Sequence, residues 1–277
     1  MPSIVQAINE FKFEATVEEV FAFALERERI RQKRESGESF PWTDDPILRD
    51  SKFLNVYREH DKVSRVVNDI LGPIKHIDNA LYIGAYICRL VNHHEHLKWL
   101  FNDGHKWMST VEQLREKMIE FTNRDSTVCN PGAYQINPRI GFKYNHRNIR
   151  ASMVNVVPDR APYVIKAFAS TDQIDIATER ANEAFGGFTN FWMFQAALDI
   201  AWHRPDLMDR HSHCYYGSGS KNAVVDQEEM LTYANNNKPD GWREFYPFDI
   251  ENMMCEYRKY RMRMTKGIPN NRRYKNG

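Results

Sequence analysis

Arg58, Asp61 and Arg65 recur at intervals of three and four in "FPWTDDPILRDSKFLNVYREHDKVSR", residues 40–65. Such a segment is either a solvated helix face or the wall of a site. On the first reading the spacing describes an exposed ion-pair ladder on one helix side, worth only a few tenths of a kcal/mol. The preface "PWTDDPIL" does not read as helix face. Asp44-Asp45-Pro46 is a turn or cap, and Trp42 is a costly residue to leave in water.

A second carboxylate, Asp199, lies in "EAFGGFTNFWMFQAALDIAW", where a Gly186-Gly187 turn leads into a helix that is apolar or aromatic except for Gln195 and Asp199. An unpaired carboxylate buried there would cost several kcal/mol, so Asp199 requires partners or a raised pKa; it is either pinned structurally by backbone or arginine donors or used in chemistry. "HSHCYYGSGSKNAV" sets His211, His213 and Cys214 close together, but no second ligand pair supports a zinc site. The loop fits better as a cradle in which Ser218, Ser220 and Lys221 approach a phosphate, with an ordinary turn as the alternative. "NHHEH", residues 92–96, reads as a solvated helix end. In "DIENMMCEYRKYRMR" an apolar set of Ile250, Met253, Met254 and Tyr257 carries Asp249, Glu251, Glu256, Arg258 and Lys259 around it. A terminal helix docked by its Met/Tyr stripe with the charges outside accounts for everything but Cys255.

The elements that must position these residues are helices. "TVEEVFAFALERERIRQKRESG" starts at a cap on Thr16, carries Val17, Val20, Phe21 and Ala24 on one stripe, and ends near Gly37. Phe53, Val56, Val63, Val67 and Ile70 predict one helix over 51–70, stopped by Gly72-Pro73. Further helices are expected near 77–90, 97–99, 109–122, 174–185, 190–202, 227–235 and 249–264. Between Thr127 and Ala169 the chain turns irregular, and "APYVIKAF" reads as a short extended piece. The fold class is mainly α with little β.

Composition narrows the function classes. A chain of 277 residues that is 42% hydrophobic can bury a sizeable core. Net charge is +1, so affinity for nucleic acid requires a local basic surface, for which residues 257–277 are the candidate, with a ragged solvated tail as the alternative. Four scattered cysteines without a CxxC pair suit a reducing compartment. No signal peptide opens the chain and no apolar run approaches the ~20 residues needed to span a bilayer, so the expectation is a cytoplasmic protein without a membrane partner. There is no GxxxxGK[ST] loop, Rossmann fingerprint, HExxH helix or nucleophile elbow.

Four stretches together resemble a known family: "ERERIRQKRESGESFPWTDDPILRDSKFLNVYREHDKVSR", "FGGFTNFWMFQAALDI", "GSGS" and "DIENMMCEYRKY". They are similar to the bacteriophage α-glutamyl/putrescinyl-thymine pyrophosphorylases, or amino-acid:DNA transferases of thymidine hypermodification, which are related to the helical domain of 5-hydroxymethyluracil DNA kinases. The resemblance implies one helical catalytic domain over 1–277, as a single globular unit or as two lobes with the cleft between them, followed by a basic tail at 265–277. Its core is distantly similar to helix-hairpin-helix DNA glycosylases, which act on a flipped base; "FGGFTNF" would replace the hairpin without its usual Gly-x-Gly spacing. The kinases carry a P-loop domain that these residues lack, so the resemblance points to the transferase branch.

The implied reaction takes place on DNA containing 5-pyrophosphomethyluracil. An amine or hydroxyl of glycine, serine, glutamate or putrescine displaces pyrophosphate, in the host cytoplasm if the source is a phage. The resemblance places Arg58 and Arg65 on pyrophosphate, with Asp61 and Asp199 orienting them or acting as base. Trp42 and Phe53 would hold the base, and Asp45, Asn55, Ser218, Ser220, Lys221 and Lys259 would contact substrate. Cys255 is either a nucleophile at C6 of the pyrimidine or a buried structural thiol. No metal site and no cofactor are identified, and a requirement for Mg2+ stays open. A base-excising glycosylase and a non-catalytic DNA-binding subunit are the competing readings.

Overall fold

The computed structural model describes residues 13–124, 150–187, 190–212, 214, 217, 220, 223–267 and 274. The helices run α1 Val17–Glu35, α2 Pro46–Asp50, α3 Lys62–Leu71, α4 Asp78–Val91, α5 His94–Leu100, α6 Val111–Arg124, α7 Val157–Phe168, α8 Ile174–Phe185, α9 Asn190–His203, α10 Gln227–Asn237 and α11 Pro247–Lys266. Two short strands, β1 Phe13–Glu14 and β2 Ala223–Val224, pair in parallel. The fold is mainly α, as the periodicity predicts. No helix among the described residues is long and apolar enough to cross a membrane. The chain divides into two compact units, Met1–Asp61 with Cys214–Gly277, and Lys62–His213.

In the first unit α1 begins as expected. The Thr16 hydroxyl accepts the Glu19 amide and the Glu19 carboxylate accepts the Thr16 amide, a reciprocal cap that satisfies two otherwise orphaned donors. Val20, Phe21, Phe23, Ala24 and Ile30 of α1 then pack with Met230 and Ala234 of α10 and Ile250, Met253, Met254 and Tyr257 of α11. Rings interlock at the centre: Phe23 meets Phe53, Tyr257 and Tyr260, while Tyr57 stacks on Phe245 at 5.1 Å. Asp45 caps α2 by accepting the Ile47 and Leu48 amides, with Pro46 in the first turn where its missing N–H costs nothing.

The second unit is built around α4 and α9, which pack on each other, with α7 and α8 packed alongside. Every residue of α4 from Ala80 to Val91 is buried, as expected of a helix apolar on all sides. Gly84 lets α4 sit against its neighbours: a Cβ there would lie 2.8 Å from Leu71 Cδ2 and 3.2 Å from Ile74 Cδ1. The Gly186-Gly187 turn precedes α9 as expected, with φ of +112° and +84° that suit glycine.

Two predicted elements are corrected. "APYVIKAF" is helix, not an extended piece, because Val157, Ala161, Val164 and Phe168 recur at four, three and four and are all buried. The single helix over 51–70 does not form. Residues 51–57 are non-helical, Arg58–His60 make one 3-10 turn, Asp61 is extended (φ −72°, ψ 142°), and α3 starts at Lys62. Arg58, Asp61 and Arg65 therefore share no helical face. The physical reason lies in where the backbone of residues 53–56 finds its hydrogen bonds.

Candidate active site

Residues 53–56 give their backbone polar groups to side chains from distant elements instead of to a helix ladder. Arg27 of α1 donates to the Phe53 carbonyl at 2.8 Å and the Leu54 carbonyl at 3.2 Å. The Glu256 carboxylate of α11 accepts the Leu54 amide at 3.0 Å. Asn252 donates to the Asn55 carbonyl at 2.5 Å and more weakly to that of Val56. The Asn55 amide and side chain then both donate to Asp61 Oδ1, at 3.2 and 3.1 Å. The periodic apolar residues are real core, since Phe53 and Val56 are buried, but tertiary hydrogen bonds override the helical spacing.

Charge is concentrated around this braced segment. Asp61 is half-buried, and burial pushes its carboxyl up to about 6, against the Asn55 amide and the cations Arg58 and Arg27, and with help from the Glu256 charge. Glu251 is raised by its burial, offset by the Ser220 hydroxyl, which donates to it at 2.9 Å, by Arg58 and by the Gly217 amide. Glu256 also pairs with Lys259. Arg243 bridges Glu59 at 2.6 Å and Asp249 at 2.7 Å, tying the 58–60 turn to the start of α11. Two carboxylates sharing one guanidinium diverge. Burial outweighs Arg243 at Asp249 and pushes it up to about 6, whereas at Glu59 burial is again the largest single influence but is exceeded by the Arg243 hydrogen bonds and charge, a backbone hydrogen bond and His60 together, which hold it low. Burial pushes the Cys255 thiol up to about 12 and raises that of Cys214 well above its ordinary value.

The charges of α11 are not outside its apolar stripe. Asp249, Glu251, Glu256 and Arg258 are all buried, so this helix brings a polar lining into the first unit along with its Met/Tyr stripe. Chemically, the arrangement offers a mostly buried carboxylate of raised basicity within the field of Arg58, on a backbone locked by buried side chains.

The remaining sequence candidates fall as follows. Trp42 is half-buried, its indole N–H on the Glu38 carbonyl and its ring edge-on to Phe40 and Tyr274, with the Arg34 guanidinium over it. Asp45 is the cap of α2 and accepts the Tyr260 hydroxyl at 2.7 Å. Phe53, 2% exposed, belongs to the aromatic core. Ser220 is buried on Glu251, and Lys259 is exposed beside Glu256. Ser218, Lys221 and His213 lie outside the described residues. Arg65 is on the exposed side of α3, in the second unit.

Asp199 is also in the second unit, and there Arg89 of α4 meets both its oxygens, Nε on Oδ2 and Nη2 on Oδ1, each at 2.5 Å. The structure thus supplies the partner that burial demands. Among the described residues, no group of three or more His, Cys, Asp and Glu side chains converges as a metal site.

Sequence reasoning misses Arg27, Arg89, Arg243 and Asn252. For Arg27 a signal exists: it falls three residues after Ala24 and three before Ile30, on the buried stripe of α1, where an unpartnered charge is too costly to sit by chance. Arg89 likewise interrupts the apolar run "YIGAYICRLV".

Residues 14–227 match a family model described as 5-hmdU DNA kinase, helical domain. No curated protein and no solved structure matches the chain. The match contains the braced segment and Asp61, while α11 lies beyond it.

Proposed function

The chain belongs to the 5-hmdU DNA kinase helical-domain family, and from that premise we propose that it modifies a thymine-derived base in DNA, as a transferase that displaces pyrophosphate from 5-pyrophosphomethyl-deoxyuridine. Glycine, serine, glutamate or putrescine supplies the nucleophile. Within these 277 residues there is no GxxxxGK[ST] loop, so phosphoryl transfer from a nucleoside triphosphate has no phosphate cradle of that type here.

In the proposed step the nucleophile's nitrogen bonds to the 5-methylene carbon, the carbon–oxygen bond to pyrophosphate breaks, and pyrophosphate leaves with that electron pair. The ammonium proton must go to a base. Asp61 suits this role because it keeps part of its surface in water, receives both Asn55 hydrogen bonds on one oxygen, and has a basicity closer to neutrality than an ordinary carboxylate. Arg58 is the cation for the departing charge, and Lys259 can assist. Trp42, with Arg34 on its face, is the aromatic candidate for an extruded base. Asp199, engaged on both oxygens by Arg89, is assigned to holding α4 and α9 together. The observation that carries the reading is the Asp61 carboxylate beside Arg58 on a segment locked by buried charged side chains, inside the residues matching the family.

The test is to incubate the protein with DNA containing 5-pyrophosphomethyl-deoxyuridine and each nucleophile in turn, with and without Mg2+, then digest and weigh the nucleosides. A mass gain equal to the nucleophile, with pyrophosphate released, is expected. An abasic site would instead establish a glycosylase, and DNA bound but unchanged would leave a binding subunit.

A further inference from the structure

We propose that Glu256, together with Arg27 and Asn252, is a positioning residue of this site: the three hold residues 53–56 out of helix so that Asn55 can present Asp61 to the substrate. This rests on the reading of Asp61 as the base. The clamp is assembled from two helices far apart in sequence. Arg27 takes the carbonyls of Phe53 and Leu54, Asn252 takes that of Asn55, and Glu256 takes the Leu54 amide. Remove it and the carbonyls of Phe53, Leu54 and Asn55 and the amide of Leu54 lose these partners, while the apolar spacing of the segment favours a helix continuous with α3, which would carry Asn55 away from Asp61.

Glu256 contributes something beyond the hydrogen bond. A neutral glutamine could also accept the Leu54 amide, in a weaker bond, without the desolvation cost of a carboxylate that is 4% exposed and answered by Lys259. A charge kept at that cost has an electrostatic use. Of the groups acting on Asp61, Arg58 in the preceding turn and Arg27 from α1 favour its ionised form, as does the Asn55 hydrogen bond. Burial is the main influence that raises Asp61, and Glu256 from α11 adds to it, so that Asp61 is a stronger proton acceptor than burial against its cationic neighbours alone would make it.

The experiment compares wild type, Glu256→Gln and Glu256→Ala in the full chain. Gln keeps the acceptor and removes the charge, whereas Ala removes both. The Asp61 carboxyl is followed through its 13C shift against pH, assigned by its absence in Asp61→Asn, and turnover is measured across the same pH range. In Glu256→Gln the Asp61 titration is expected to fall by about half a unit to one unit, with the acid limb of kcat moving by the same amount and KM for DNA changing less than about twofold. Glu256→Ala is expected to lose about tenfold or more in kcat. An Asp61 titration that stays put in Glu256→Gln, or a kcat untouched in Glu256→Ala, overturns the proposal. If wild type transfers nothing to any DNA, the functional reading fails on its own, and the carboxyl titration still decides whether Glu256 governs Asp61.

Discussion

Asp61 is a carboxyl whose two protonation states are both accessible near neutral pH, because burial pushes it up to about 6 from an ordinary 3.8. The folded value exceeds the unfolded one, so protonation favours the folded chain. That stabilisation is fully present below about pH 4 and is lost as pH rises through about 6. Asp61→Asn removes the titration: between those limits wild type should lose about 1–2 kcal/mol relative to the variant, read by urea denaturation at a series of pH values. A pH-independent difference would show that Asp61 titrates normally. In the transfer assay the same variant should lose about 100-fold or more in kcat, the usual loss with a general base. Cys255 offers the opposite expectation. A thiol pushed up to about 12 is essentially all protonated at neutral pH, so Cys255→Ser should keep turnover within about threefold. A loss of a thousandfold would restore covalent addition at C6 to the mechanism.

The segment 51–61 shows how an element can be present in the pattern and absent in the fold. Its apolar spacing is helical and Phe53 and Val56 are buried as that spacing requires, yet the backbone is claimed by Arg27, Asn252 and Glu256. No local rule contains those partners, which arrive from 26 and about 200 residues away. By contrast α1, with its reciprocal Thr16/Glu19 cap, and α8, ended by Gly186, are legible because their start and stop signals are local. The α4 interface gives a test at this scale. Gly84→Ala places a methyl 2.8 Å from Leu71 Cδ2 inside a packed core, and should cost about 1–3 kcal/mol in urea denaturation despite alanine's better helix propensity. A neutral or stabilising result would mean that Leu71 and Ile74 can give way.

At the scale of the whole molecule, each compact unit carries buried charge, used differently. In the second unit Arg89 and Asp199 are a closed pair between α4 and α9, 3% and 6% exposed. Arg89→Met strands a buried carboxylate and should cost about 3–5 kcal/mol, whereas the double variant Arg89→Met/Asp199→Leu should recover much of that. Urea denaturation of the three proteins checks this, and a single variant as stable as wild type would refute the pairing as a structural lock. In the first unit the charges are not closed off in this way. Asp61 keeps part of its surface in water and Arg58 acts on both Asp61 and Glu251. An overall charge of +1 leaves any attraction to DNA to local surfaces, not to the molecule as a whole.

The amino-acid sequence alone determined that the protein is mainly helical, where most helices begin and end, and that Asp199 must have partners or a raised pKa, while it left residues 40–65 and 249–263 open between a charged surface and a site. Those conclusions rest on short-range physics: periodicity, caps, glycine turns and the cost of burying a charge. Only the tertiary structure decided that Arg58, Asp61 and Arg65 share no helical face, that Asp199 answers to Arg89, and that Glu256 and Arg27 grip the backbone beside Asp61. Each of these depends on which distant side chain satisfies a buried polar group, and many pairings that would satisfy it look alike in a linear sequence until the chain has packed.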